Sequence, residues 1–147
     1  MEKIILYTDG GSRGNPGPAG AGVLICNSQN QVIKRYAHYL GDSLTNNQAE
    51  YMAVIFGLKK LKSLFGKRKT RNLEVEVRTD SEFLTKQLNG EYKILDKKIQ
   101  PLFLELWNLK FDFGKVKFLC IPRKKNKEAD RLVNESLNKR NTTQRLL

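Results

Sequence analysis

The chain has 147 residues, long enough for one domain with a real core, and shows no repeat or sign of a second domain. Its 39% hydrophobic content is ordinary for a soluble fold, and no apolar run approaches the roughly eighteen residues that a membrane span needs. Twenty-seven basic against fifteen acidic residues give a net charge of +12, which makes a polyanion the first partner to consider.

In chain order, residues 2–9 read as a first strand. The continuous apolar run Ile4-Ile5-Leu6-Tyr7 fits a strand buried on both faces of a sheet better than a helix. Asp9 then appears where burial of an isolated charge is costly unless it is paired or bound to a metal. Five glycines and prolines follow within the eight residues Gly10 to Gly17. Such a segment brings backbone close to whatever lies above the strand end. A carboxylate at a central strand tip beside a glycine-rich loop reads as half of a metal site, to be completed by carboxylates further along.

Ala19 to Cys26 and Gln31 to Leu40 read as two strands, joined as a hairpin by the turn residues Asn27-Ser28-Gln29-Asn30. Thr45-Asn46-Asn47 opens a helix with a capping residue and Glu50 near the first turn, and its apolar positions carry it to about 65, ending near Gly66. Leu73 to Thr79 alternates apolar with charged residues as a fourth strand leading into Asp80. Ser81 caps a short helix to about 89. A longer amphipathic helix ends near Lys110; Pro101 suits only a first turn, which puts its start between 97 and 100. Val116 to Ile121 is a fifth strand. Asn126 caps a last helix with the stripe Ala129, Leu132, Val133, Ser136, Leu137. The domain is expected over 1–140, with a frayed polar tail over 141–147.

The order β-β-β-α-β-α-α-β-α predicts an α/β fold: a mixed five-stranded sheet with helices on its faces, antiparallel over its first three strands and parallel over its last two. A helical crossover between the first and fourth strands would make them parallel neighbours, with Asp9 and Asp80 side by side. Two clusters hold much of the positive charge, Lys59, Lys60, Lys62, Lys67, Arg68, Lys69 and Arg71, and then Arg123, Lys124, Lys125 and Lys127. Charge suggests nucleic acid without naming the chemistry. Cys26 and Cys120 sit singly in apolar stretches and read as buried thiols. The first residues read directly into a strand, with no signal peptide, and a cytoplasmic protein is expected.

Tyr7-Thr8-Asp9-Gly10-Gly11-Ser12, Gly14-Asn15-Pro16-Gly17, Thr45-Asn46-Asn47-Gln48-Ala49-Glu50, Thr79-Asp80-Ser81 and Asn126-Lys127-Glu128-Ala129-Asp130 together resemble the type 1 ribonuclease H family. The motifs lie in family order and span residues 7 to 130. The resemblance implies the ribonuclease H-like fold and an RNA/DNA-hybrid endoribonuclease, a hydrolase that cuts the RNA strand to leave 5′-phosphate and 3′-hydroxyl ends. It implies Asp9, Glu50, Asp80 and Asp130 as catalytic residues and metal ligands. Two Mg²⁺ ions are the implied cofactors, with Mn²⁺ able to substitute. Two divalent ions about 3.5–4 Å apart can stabilise both the attacking and the leaving oxygen of a phosphodiester, and hard cations of this kind take oxygen ligands. It further implies Asn15, Asn46, Asn47 and Gln48 at the minor groove of the hybrid, and Thr45 with Asn47 at a DNA phosphate. The partner is then the hybrid duplex, with no membrane and no protein partner, and a monomer is expected.

Two departures mark a short form of the family. Many members carry a histidine in the loop before the last acidic residue, where this chain reads Cys120-Ile121-Pro122-Arg123-Lys124-Lys125-Asn126. Arg123 is the expected auxiliary, as a cation near the phosphate rather than a titrating acid. The single histidine, His38, falls in the third strand and reads as structural or exposed. Some members also insert a helix and basic protrusion after the short helix, for which Asn89 to Lys97 leaves no room. The lysine-rich end of the first long helix is a candidate to replace that contact. Two other classes stay open on sequence: a non-catalytic hybrid-binding module, disfavoured by the presence of all four acids, and a DNA-acting nuclease or resolvase of the same superfamily, disfavoured by Thr45-Asn46-Asn47.

Overall fold

The computed structural model describes residues 1–146, with side chains through Arg140. Five strands, β1 (Glu2–Ser12), β2 (Gly17–Asn27), β3 (Val32–Leu44), β4 (Leu73–Thr79) and β5 (Lys115–Cys120), form one sheet in the order β3-β2-β1-β4-β5. β1, β2 and β3 are antiparallel neighbours, whereas β1–β4 and β4–β5 are parallel. The mixed sheet expected from the element order is therefore the one formed, with helices α1 (Asn46–Thr70), α2 (Glu82–Leu88), α3 (Gln100–Lys110) and α4 (Lys127–Leu146) around it.

Strand alternation separates two layers of core. Ile4, Leu6, Val23, Ile25, Val75 and Val77 face Val54, Leu58 and Leu61 of α1 together with residues of α2 and α3. Ile5, Tyr7, Leu24 and Cys26 pack on the opposite side against Ala129 of α4. Each fully buried Leu or Ile contributes about 2 kcal/mol, so the α1 layer supplies most of the hydrophobic stabilisation. α4 can lie close to the sheet because Gly22 has no side chain, where an added Cβ would collide with the Ala129 carbonyl oxygen.

Several boundaries differ from the sequence reading. β1 does not stop at Asp9: its parallel ladder with β4 ends at Tyr7↔Arg78, but its antiparallel ladder with β2 continues to Ser12↔Ala19. Glycine by itself weakens a strand, so the antiparallel pairing with β2 is what holds this end extended. α1 breaks at Gly66, where φ is 79°, and then resumes through Thr70. The capping box of α1 pairs Thr45 with Gln48, which leaves Glu50 free to turn elsewhere.

Asn126 does not cap α4 as expected. Its amide donates to the Thr8 carbonyl (2.9 Å), and its Oδ1 is buried without a protein partner. Cys26 is buried, but Cys120 is exposed, because β5 is an edge strand with only part of one face covered. The backbone of α4 runs on to Leu146; the expected fraying of the 141–147 tail falls on side chains outside the described residues. No helix among the described residues is long and apolar enough to cross a membrane.

Candidate active site

Asp9 occupies the point where β1 loses its neighbour β4 but keeps β2, and Asp80 directly follows β4. The parallel pairing brings these two carboxylates to the same end of the sheet. Glu50 arrives from the other layer, in the second turn of α1. Its approach depends on Gly10, since a Cβ there would overlap the Ala49 carbonyl. With that space open, the Gly10 N–H donates to Glu50 Oε1 (3.0 Å) and Thr79 Oγ1 donates to Glu50 Oε2 (3.3 Å). Ser81 Oγ accepts from the Leu84 N–H (3.2 Å) and so starts α2, fixing the backbone just after Asp80.

One oxygen from each of Asp9, Glu50 and Asp80 lies within 4.8 Å of the others. Asp130, in the first turn of α4, lines the same cavity of about 470 Å³ but lies outside this tightest group. The Asn126–Thr8 bond holds the start of α4 beside β1, and the Asp130 N–H donates to the Asn126 carbonyl (3.1 Å). The Asn126 contact thus positions the fourth acid relative to the first.

The electrostatics of this cluster are uncompensated. Asp9 is only 8% exposed. Burial, followed by the charge of Glu50 and then those of Asp80 and Asp130, pushes its carboxyl far above the ordinary carboxylate range. Burial also raises Glu50, against the hydrogen bonds it accepts from its neighbours. No Asp9, Glu50 or Asp80 oxygen forms an ion pair among the described residues. A set of hard oxygen donors that repel one another and lack a protein cation has the chemistry of a divalent-cation site, so the residues fit such an ion.

The remaining predicted residues divide between the cavity and its frame. Asn46 and Arg123 line the cavity, Arg123 from a short 3₁₀ turn, Arg123–Lys125. Asn46 Oδ1 accepts from the Ser12 N–H (3.0 Å), while Asn15 Oδ1 accepts from the Asn46 N–H (3.0 Å). The glycine-rich loop is thereby latched onto the start of α1. Thr45 and Gln48 are engaged in the capping box, outside the cavity lining, and Asn47 is exposed beside them. His38 is remote from the acids, stacked on Phe56 with ring centroids 4.2 Å apart, and burial followed by the Lys60 charge lowers its pKa.

Two cavity residues escaped the sequence reading, Arg13 and Asn134. Asn134 stands four residues after Asp130, a helical spacing that could have revealed it. Arg13 sits among the loop glycines, with its guanidinium donating to Asn138 Oδ1 (2.7 Å). Nothing in its sequence context distinguishes it from other surface cations.

Residues 7–136 match the family profile described as reverse transcriptase-like. LC11-RNase H1, isolated from compost, has the same architecture: TM-score 0.87 and 44% identity over 95% of this chain and 98% of that one. The chain belongs to the type 1 ribonuclease H family.

Another type 1 ribonuclease H, from the halophilic archaeon Halobacterium salinarum, superposes with a TM-score of 0.84 and 32% identity, covering 93% of this chain and 98% of that one. An N-terminal ribonuclease H domain from Mycobacterium tuberculosis gives 0.85 and 30%, over 97% and 99%. The present chain spans 35% of the length of the M. tuberculosis bifunctional protein that it matches at 31% identity over 92% of its own length. Residues 89–99 join α2 to α3 without a helix, and the loop before Asp130 carries Arg123 and no histidine.

Proposed function

We propose that the protein is a metal-dependent endoribonuclease that hydrolyses the RNA strand of RNA/DNA hybrids, leaving 5′-phosphate and 3′-hydroxyl ends. The observation that carries this reading is the close approach of the Asp9, Glu50 and Asp80 oxygens, within 4.8 Å of one another, with none of them in an ion pair among the described residues. Asp9, Glu50, Asp80 and Asp130 would hold two Mg²⁺ ions, for which Mn²⁺ could substitute. Bound there, the ions supply Lewis-acid stabilisation of the charge that develops on the phosphate and lower the pKa of a nucleophilic water. A related solved structure, LC11-RNase H1 in complex with RNA/DNA hybrid, is 42% identical over 92% of this chain with a TM-score of 0.87, which supports the choice of substrate.

The chain's own groups then have separate tasks. The Gly10 N–H and Thr79 hydroxyl hold Glu50 in one orientation, so that the carboxylates enter the reaction already placed. Asn46, kept in position by Asn15 and Ser12, presents polar atoms at the cavity rim. Together with Asn47, Gln48 and Thr45 it would meet sugars, phosphates and minor-groove edges, including the 2′-hydroxyls that distinguish RNA. Arg123 would attract the phosphate as a fixed cation, without exchanging a proton. The net charge of +12 favours encounter with a duplex, and the cytoplasm is the compartment in which this reading places the protein.

The test is direct. Labelled RNA/DNA hybrid, double-stranded RNA and double-stranded DNA are incubated with the protein in Mg²⁺, Mn²⁺ or EDTA, and the product ends are mapped. Hybrid alone should be cut, only with metal, and a run of deoxynucleotides in the RNA strand should block cutting there. Equal cleavage of all-DNA duplex would replace this reading with that of a DNA nuclease, and binding without cleavage would leave a hybrid-binding module.

A further inference from the structure

The largest basic cluster in the sequence does not lie at the carboxylate cavity. α1 begins beside the acids and advances about 22 Å from Glu50 to Phe65, at 1.5 Å per residue, before its break at Gly66. Its far end adjoins the amino ends of β1 and β4, where Lys69 bonds to Glu2 (3.4 Å) and Leu73 pairs with Glu2. Asp9 and Asp80 lie at the carboxyl ends of the parallel ladder. Lys67, Arg68 and Arg71 therefore occupy the opposite pole of the molecule and do not replace the missing protrusion at the site.

This pole has the parts of a binding surface. A depression of about 540 Å³ is lined by Lys62, Lys67, Arg71, Ser63, Thr70 and Phe111 together with Asp112. Asp112 is committed to Lys62 (2.6 Å) and Glu2 to Lys69, but Lys67, Arg68 and Arg71 have no ion-pair partner among the described residues. Thr70 Oγ1, at the same depression, is buried without a hydrogen-bond partner. Beside these cations runs a row of rings. Trp107 stacks on Phe103 (centroids 5.9 Å, 22°) and meets Phe111 edge-on at 5.8 Å. Lys110 covers the Trp107 ring, while Phe111 is 67% exposed.

Unpaired cations beside a ring that keeps most of its surface exposed, touched within the fold by the edge of Trp107 and by Lys110, match a chain of phosphates carrying stackable bases, and a duplex, whose bases are already stacked, would not use that open face. We propose that this pole is a second nucleic-acid site that holds a single strand of DNA or RNA, with phosphates on Lys67, Arg68 and Arg71 and a base on Phe111. The assignment does not depend on what the carboxylate site cleaves.

The experiment is fluorescence anisotropy of the full chain with labelled (dT)15 in EDTA, across a salt series. Phe111→Ala should weaken binding about fivefold or more, the loss of one stacked base, and Phe111→Trp should keep it. Lys67→Ala/Arg71→Ala should lower the slope of log affinity against log salt by about 1.4, the counterions of two single-strand phosphates. All three variants alter exposed residues away from the acids, so cleavage of a short blunt hybrid should match the parent. Binding of (dT)15 within twofold of the parent in both the Phe111→Ala and the double variant overturns the proposal. So does a poly-glutamate peptide that binds the parent as tightly as (dT)15 and is lost equally with Phe111→Ala, because the surface would then read acidic protein.

Discussion

Two carboxylates on this sheet are buried to almost the same degree and meet opposite fates. Glu76, in the middle of β4, is 7% exposed, and Asp9 on β1 is 8% exposed. Glu76 lies against Arg78 (2.6 Å) and Lys3 (3.1 Å), and Arg78 in turn donates to the Tyr7 hydroxyl (2.8 Å). Burial raises the Glu76 pKa, but the hydrogen bonds and charges of Arg78 and Lys3 outweigh it, and the net shift is downward. Asp9 has three other acids around it, and every contribution pushes it upward. The fold thus neutralises one buried charge with its own cations and surrounds the other with acids. Burial alone marks neither as functional; the partners do.

The largest effect separating the two should come from Asp9→Asn. It should reduce hybrid cleavage on the order of a thousandfold, since under the proposed function it removes the charge of a metal ligand at nearly constant volume. The fold should survive, and the rise in Tm on adding Mg²⁺ to the parent should disappear. Near-parental Mg²⁺-dependent turnover would place the reaction elsewhere.

Glu76→Ala should do the reverse. Arg78 and Lys3 lose their shared partner, but their side chains are 28% and 37% exposed, so solvent recovers part of the cost. A loss of about 2 kcal/mol in urea unfolding is expected, with turnover on hybrid unchanged. A stability within about 0.5 kcal/mol of the parent, the error of such measurements, would mean that the network adds nothing to stability.

The pH responses should also oppose. Raised acids such as Asp9 and Glu50 bind more protons in the native than in the unfolded state, from the ordinary carboxylate range of about 4 up to their raised values. Metal-free stability from this site is therefore lost as pH rises through that window. Glu76, lowered, stabilises above about 4.3 and loses its contribution as pH falls through its folded value. In EDTA, the Tm difference between Asp9→Asn and the parent should grow in favour of the variant from pH 5 to pH 8, by about 3 °C for each kcal/mol. A constant difference across that range would show that the Asp9 proton is not linked to folding.

The smallest effect is expected at Arg123. Arg123→Ala should lower activity about three- to tenfold, more as salt screens the remaining cations. Arg123→His should recover part of it and add an inflection near pH 6.5 to the rate profile. If Arg123→Ala follows the parent at every salt concentration, the 3₁₀ turn is only a connector.

The sequence by itself determined the element order and the mixed sheet, because each rests on local information, whereas the four acids were proposed from the family resemblance. The uninterrupted apolar run of β1, the alternation along β4, the turn at 27–30, the Ser81 cap and Pro101 in a first turn are all written within a few residues. Only the tertiary structure decided how far each acid stands from the others and what surrounds it. Nothing near Glu50 announces that Gly10 makes room for it, and nothing near Asp130 announces that Asn126 abandons its cap to bond the Thr8 carbonyl. The same holds for the cations: Lys67 to Arg71 are legible as a cluster, but the length of α1 puts them at the far pole, while single residues such as Arg13 and Arg123 reach the cavity. A local pattern fixes what a residue type can do. Proximity between residues 118 positions apart, as with Asn126 and Thr8, is set by the packing of the two layers on the sheet, and it decides which charges are neutralised and which remain to bind.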